Sequence, residues 1–293
     1  MMTEADKDFP FMLTVAGVGS GGISAVNHMI SNQVDGIKFI AVDTDTTALS
    51  NSQAPIHIQI DGKDPNDIQA EIIKSLEGSK VVFIVAEIGV NTDDSRIAAI
   101  MAAYSKGLNA LTLAAVIRPS VVEDLEKKSA LGLKNLRKNA DSIITIPIND
   151  NFSPSENFQY TNDILKKVVQ SILNFVIAPG LVGLDLSDIK LILQNSGETF
   201  IGIGEASGEG AFLKATKIAL SSSNIKNNIT NANSFLINFS SSEILIALSE
   251  INEASMMIQD SANSEAEIMW GTSIDENLGE NVRVVIFITR YHN

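Results

Sequence analysis

The segment Gly17-Val18-Gly19-Ser20-Gly21-Gly22 decides the fold class of this chain. It follows an apolar run at residues 11–16 that predicts a strand, and it opens a stretch with helical spacing at residues 22–31. Glycines at such a turn leave backbone N–H groups bare, and the helix dipole favours an anion beside them. The turn by itself fits a nicotinamide dinucleotide site and a nucleotide triphosphatase equally well. In the first case Asp43 or Asp45 could contact a ribose.

Apolar runs and amphipathic helical stretches alternate through the first half of the chain, which is the pattern of parallel strands joined by crossover helices. The predicted strands are residues 11–16, 38–43, 80–86, 110–117 and 142–146. The predicted helices between them are residues 22–31, 67–77, 94–106 and 122–139. After an Asn/Ser-rich stretch at 149–157, a long central helix is predicted at 161–177.

The second half has fewer and more widely separated units. Strands are predicted at 190–193, 199–205, 234–239, 266–272 and 282–290, and helices at 209–220 and 243–259. The pattern changes after Pro179, which indicates a second α/β domain. We therefore predict a nucleotide-binding-like domain at 1–160, a core helix at 161–179 and a C-terminal domain at 180–293.

Composition narrows the possible functions. The chain has 293 residues, of which 45% are hydrophobic, and its formal charge of -14 disfavours nucleic acid and direct membrane contact. It contains no cysteine, which excludes disulfides and thiolate chemistry. The first eight residues lack the features of an export signal, and no segment approaches the roughly 18 to 20 apolar residues of a membrane span. We expect a cytoplasmic protein.

Several further segments stand in an order that resembles FtsZ, the bacterial tubulin homologue. They are residues 17–30, 39–49, 179–188, 202–209 and 274–284. The resemblance implies an α/β, tubulin/FtsZ-like two-domain fold with an N-terminal Rossmann-like parallel sheet, a long core helix and a C-terminal activation domain. It also implies GTP held between the subunits of a head-to-tail filament. The synergy loop of one subunit would complete the active site of the next, where an attacking water is positioned electrostatically.

The resemblance also carries individual site positions onto this chain. Asp185 and Asp188 of the synergy loop match the family's two catalytic carboxylates. Gly183 replaces an asparagine that helps to position them in the family. The residual nucleotide-site positions are Gly19, Gly21, Gly22, Asp45, Gly89, Thr92, Glu123, Phe158 and Asp163. No metal ligands are predicted. Ordinary structural roles remain open for several of them: helix capping for Asp185 and Asp188, core packing for Phe158, and a solvated helix surface for Glu123 and Asp163.

The phosphate loop departs from the family pattern. In residues 87–95 only Gly89 and Thr92 match the glycine- and threonine-rich loop of the family. Asp93 and Asp94 occupy positions where the family has backbone N–H groups available to the phosphates. A carboxylate about 5 Å from a phosphate charge costs roughly 3 kcal/mol at an effective dielectric near 20, so two could weaken binding by several powers of ten. Alternatively, both acids recruit Mg²⁺, or they cap the following helix. A glycine-rich sensor loop between Ile60 and Gly78 is also missing.

We therefore expect a divergent, degenerate FtsZ-like protein that has no resident cofactor and is not an efficient enzyme. Its partners would be FtsZ-like subunits or copies of itself, and its synergy loop would dock on a filament end and cap it. One alternative is a scaffold that self-assembles without nucleotide. Another is a GTPase that binds GTP or GDP with Mg²⁺ through an altered loop. The chain ends at Asn293 without the adaptor-binding tail of the family, so membrane tethering by that route is not expected.

Overall fold

The structure is a computed structural model that describes residues 12–88, 92–117, 131–146, 152–177, 181–242 and 248–290. Its contacts divide into two compact units, Met1–Lys167 and Val168–Asn293. Among the described residues, no helix combines the length and the apolar run needed to cross a bilayer.

The first unit alternates strands and helices, as the sequence predicts. Its strands are β1 (Leu13–Val18), β2 (Ile37–Asp43), β3 (Ile56–Gln59), β4 (Val81–Glu87), β5 (Leu111–Ile117) and β6 (Ser142–Ile146). Its helices are α1 (Gly19–Ser31), α2 (Thr46–Ser50), α3 (Pro65–Leu76), α4 (Thr92–Gly107), the described part of α5 (131–137) and the start of α6 (Pro154–Ile177).

The six strands of this unit are parallel and lie in the order β3-β2-β1-β4-β5-β6. Strands β1 and β5 are buried almost throughout, because a parallel sheet is covered on both faces and its strands are therefore apolar runs. Strand order reverses between β1 and β4. Ligands of such sheets bind outside the carboxyl ends of the strands at this switch point.

A hydrophobic core lies between the sheet and helices α3, α4 and α5. Ile72 of α3, Met101 of α4 and Leu136 of α5 are fully buried in it. They pack on alternate residues of the strands, such as Ile84 and Val116. Helix α1 packs separately against β1, β2 and β4. This packing holds the start of α1 at the switch point.

The second unit contains a mixed sheet with the order β7-β10-β8-β9. Its strands are β7 (Gly197–Ser207), β8 (Ser234–Ser241), β9 (Glu267–Ile274) and β10 (Asn281–Arg290), and its helices are α7 (Leu186–Leu193), α8 (Ala211–Ser221), α9 (Ser223–Lys226) and α10 (Leu248–Ser261). Strand β10 is antiparallel to β7 and β8, whereas β8 and β9 are parallel. Helices α8 and α10 cover one face, where Phe212, Phe239 and Trp270 stack edge to face.

The structure corrects three local predictions. Residues 190–193 were predicted as a strand but form the end of α7, because a short apolar run does not distinguish a strand from a buried helix. Helix α6 begins at Pro154, where Ser153 and Glu156 bond reciprocally across the first turn. Strand β3 and helix α2 were not predicted, since each has five residues or fewer.

Gly204 in β7 provides a test of the second unit. A Cβ atom there would overlap the backbone oxygen of Ala215 in α8. We expect Gly204→Ala to lower the free energy of unfolding by about 1 to 3 kcal/mol, because α8 would have to move off the sheet. Gly183→Ala is the control: a Cβ atom there meets nothing within 4 Å, so the change should stay within about 0.5 kcal/mol. Urea denaturation measures both, and equal effects would contradict this packing.

Candidate functional site

The glycine turn between β1 and α1 is held by backbone contacts that leave no room for side chains. A Cβ atom on Gly22 would overlap the carbonyl oxygen of Val85 in β4, and one on Gly17 would overlap that of Gly22. The side chain of Val18, which precedes α1, makes no capping hydrogen bond to the helix. The turn therefore packs closely on β4 and presents the N-terminus of α1 at the switch point, where an anion is favoured.

Two carboxylates of this chain lie against the turn. Gly19 adopts φ +70°, and a Cβ atom there would overlap the carboxylate of Asp94, which comes from the first turn of α4. Asp94 is only 7% exposed. At Gly21 a Cβ atom would lie 2.8 Å from Oε2 of Glu87, the last residue of β4. The space beside the glycines is thus occupied by acidic groups of the protein.

Both carboxylates have raised pKa values, and neighbouring carboxylates contribute to the shift at Asp94. Burial is the main cause that raises the pKa of Asp94 to about 6, and the carboxylates of Asp43, Glu87 and Asp93 act in the same direction. Burial also raises the pKa of Glu87. Within the described part of the chain, no three histidine or carboxylate side chains are arranged to hold a metal ion. The cluster is therefore a concentration of negative charge beside a turn that would otherwise attract anions.

Asp93 differs from its neighbour. Its Oδ1 lies 3.2 Å from Nη2 of Arg96, and both side chains are more than half exposed. The two adjacent acids thus have different environments, because one points to solvent and the other to the glycine turn.

The far end of α1 meets the start of α6 within the same unit. Nε2 of His28 lies 2.9 Å from Oδ1 of Asp163, and Nζ of Lys166 lies 3.9 Å from the same oxygen. Lys166 also donates to Oδ1 of Asn32 at 3.2 Å. Asp163, which the resemblance assigns to guanine recognition, is therefore held by two side chains of this chain. Phe158, the proposed base-stacking ring, is 51% exposed.

Helix α1 sets the distance between these two groups. Gly19 and His28 are nine positions apart, which corresponds to about 14 Å at the rise of an α-helix. One element thus positions both the predicted phosphate end and the predicted base end of a nucleotide site.

The remaining predicted residues have local structural contacts. Oδ1 of Asp45 accepts a hydrogen bond from the Thr47 N–H at 2.8 Å and caps α2. Asp185 and Asp188 form a reciprocal capping box at α7: Asp185 accepts from the Asp188 N–H at 3.0 Å, and Asp188 accepts from the Asp185 N–H at 2.8 Å. Gly89, Glu123 and the Thr92 side chain lie outside the described residues.

Two residues of the candidate site were not predicted from the sequence. Glu87 ends a strand at the switch point, and that position could have identified it because the carboxyl ends of neighbouring strands meet there. His28 lies in the predicted first helix and has no metal-ligand or catalytic partner at a local spacing. Its contact with Asp163 spans 135 positions of sequence and carries no local signal.

Asp94→Asn tests the charge of the cluster through stability. Because the folded state holds the Asp94 proton more tightly than the unfolded chain, the free energy of unfolding falls as the pH rises from about 4 to about 6. The full shift corresponds to roughly 3 kcal/mol, and partial solvent access reduces it. We expect Asp94→Asn to be more stable than the natural protein by about 1 to 2 kcal/mol at pH 7.5, and equally stable at pH 4.

Thermal unfolding at the two pH values measures this difference. Asp93→Asn is the matched control, since it removes one charge from an exposed neighbour and should change stability by less than about 0.5 kcal/mol. A stabilisation by Asp94→Asn that persists unchanged at pH 4 would contradict the electrostatic explanation.

Comparison with known proteins shows which proteins this chain resembles. The profile described as the FtsZ family, C-terminal domain, matches residues 197–292. An empty FtsZ dimer from M. jannaschii is 27% identical, with a TM-score of 0.86 over 98% of this chain and 92% of that one.

Two archaeal CetZ structures share the fold at lower identity. CetZ2 from Haloferax volcanii, in a GTPγS-bound protofilament, has a TM-score of 0.78 and 16% identity over 97% of this chain and 94% of that one. CetZ from Methanosaeta thermophila has a TM-score of 0.74 and 17% identity over 97% and 87%. The predicted fold class and the predicted resemblance are confirmed. The C-terminal part of the chain matches the FtsZ family, and the chain shares the two-domain α/β fold of FtsZ.

Proposed function

We propose that this protein is a filament partner or regulator of FtsZ-like subunits that does not use GTP efficiently. In this proposal its synergy-loop face docks on the nucleotide end of an FtsZ-like subunit, and its own nucleotide end cannot support the next addition. It would therefore cap or shorten filaments. The observation that carries the proposal is the Asp94 carboxylate lying against Gly19, at the turn where a phosphate would bind.

The charge balance supports the loss of nucleotide binding. A triphosphate at the turn would meet Asp94 and Glu87, both near the glycines, with Asp43 close enough to act on Asp94. One such charge about 5 Å away costs roughly 3 kcal/mol at an effective dielectric near 20, or more than a hundredfold in affinity. At the other end of α1, a guanine would have to compete with His28 and Lys166 for Asp163.

The second unit supports a role in subunit contact. The segment around α7 is ordered by its own capping box. Two large apolar side chains flank the acidic pair and are exposed, Leu181 at 63% and Leu191 at 57%. Exposed apolar groups of this size are common at protein interfaces. The structures with this fold include an FtsZ dimer and a CetZ2 protofilament, which favours self-association or filament formation here as well.

Two other functions make different demands. A scaffold that assembles without nucleotide would use the same contact faces. The contacts that His28 and Asp94 of this chain make at the two ends of α1 are compatible with such a scaffold, because they need no nucleotide. A GTPase with an altered phosphate loop would need Mg²⁺ beside Asp93 or Asp94. The described residues contain no three-carboxylate arrangement for that ion, so this alternative would depend on ligands from GTP, water or a neighbouring subunit.

Co-sedimentation with an active FtsZ, such as the M. jannaschii protein, tests capping. We expect substoichiometric amounts of this protein to reduce the polymer mass formed with GTP and to lower light scattering. Sedimentation of this protein by itself without nucleotide would favour the scaffold. Unchanged FtsZ polymer mass at equal stoichiometry, together with no self-assembly, would refute both filament roles.

Variants of Asp185 separate helix capping from interface charge. Asp185→Asn keeps a good N-cap residue and removes the charge, whereas Asp185→Ala removes both and should lower stability by about 1 kcal/mol. If the Asp185 charge contacts an FtsZ subunit, both variants should lose the ability to cap filaments in the sedimentation assay. If Asp185→Asn caps filaments as well as the natural protein does, this residue acts only by ordering α7.

A further inference from the structure

The contact between Asp94 and the glycine turn has a specific geometry. Asp94 lies in the first turn of α4, and its carboxylate points to the α-carbon of Gly19, where α1 begins. The side chain is 93% buried, and its short stem leaves it few alternative positions. Carboxylate and phosphate oxygens are both acceptors that suit a helix N-terminus. The carboxylate is therefore an anion of the protein at a place that suits a bound anion.

We propose that Asp94 is the specificity-determining residue that excludes a polyphosphate from this turn. The inference rests on the proposed loss of GTP binding and adds its cause. Asp94 acts in two ways: its oxygens occupy the space beside Gly19, and its charge repels a phosphate. Because the carboxylate is attached to the protein, it competes at a high effective concentration against any ligand in solution.

Its two acidic neighbours are less suited to this role. Asp93 is paired with Arg96 and faces solvent. Glu87 approaches Gly21 through a longer side chain that is only partly buried, so it can turn away more easily. The charged groups that act electrostatically on Asp94 are the carboxylates of Asp43 from β2, Glu87 from β4 and Asp93 from α4. All are acidic, so protonation of Asp94 removes repulsion but leaves its volume in place.

Calorimetric titration with GTP and with inorganic pyrophosphate tests the proposal, in the presence and absence of Mg²⁺ at pH 7.5. Asp94→Asn removes the charge at almost constant volume, and Asp94→Ala removes charge and volume. Asp93→Asn removes one charge from the neighbouring position and is the control. We expect no binding by the natural protein or by Asp93→Asn up to millimolar ligand. Asp94→Ala should bind GTP at least about 100-fold more tightly, and Asp94→Asn should lie between.

The outcomes separate this inference from the proposed function. Stoichiometric GTP binding by the natural protein would refute the loss of nucleotide binding. If the natural protein does not bind and a folded Asp94→Ala does not bind either, the role of Asp94 is refuted while the loss of binding stands. Circular dichroism and thermal unfolding establish that each variant is folded. If Asp93→Asn gains as much affinity as Asp94→Asn, general charge, and not this contact, excludes the ligand.

A pH series gives a second readout. Lowering the pH from 7.5 to 5.5 should bring pyrophosphate binding by the natural protein into the measurable range and towards the affinity of Asp94→Asn, since only the natural protein has this carboxyl to protonate. Pyrophosphate takes up protons itself, and the variant corrects for that contribution. Parallel pH profiles for the two proteins would contradict a role for the Asp94 charge.

Discussion

The close backbone contact between the glycine turn and β4 determines how the first unit is built around its site. Gly22 can approach the Val85 carbonyl only because it has no side chain. This contact brings the start of α1 to the carboxyl end of β4, where the strand order reverses. Glu87 is the last residue of β4, and α4 begins at Thr92. The approach of acidic side chains to the turn is therefore a consequence of the topology and of the residues that follow this strand.

The same backbone arrangement can attract or repel an anion, depending on a few side chains. With small neutral residues after β4, a helix N-terminus at a switch point attracts a phosphate. Carboxylates there make the turn less favourable to an anion, although the fold does not change. Core packing and site chemistry are therefore separable: the buried strands and helices maintain the architecture, and a few side chains near the turn set its charge.

Much of the fold could be predicted from the sequence because its signals are local. Buried parallel strands are continuous apolar runs, as in β1 and β5, and the glycine turn marks the first crossover. Short elements such as β3 carried too little pattern. The apolar run at 190–193 was wrongly predicted as a strand, because the capping box that starts α7 before it was not taken into account. At the site, the unusual acids at 93 and 94 were evident from sequence. Their different environments, and the pairing of His28 with Asp163, depend on tertiary contacts that no local pattern encodes.

The capping box of α7 has a consequence for association. Asp185 and Asp188 satisfy each other's backbone N–H groups, so the start of this helix is ordered by bonds within one subunit. A segment that is rigid before it meets a partner loses little conformational entropy when it is covered. Its contribution to an encounter then depends mainly on shape and desolvation. Such a surface needs no bound ligand to become ordered.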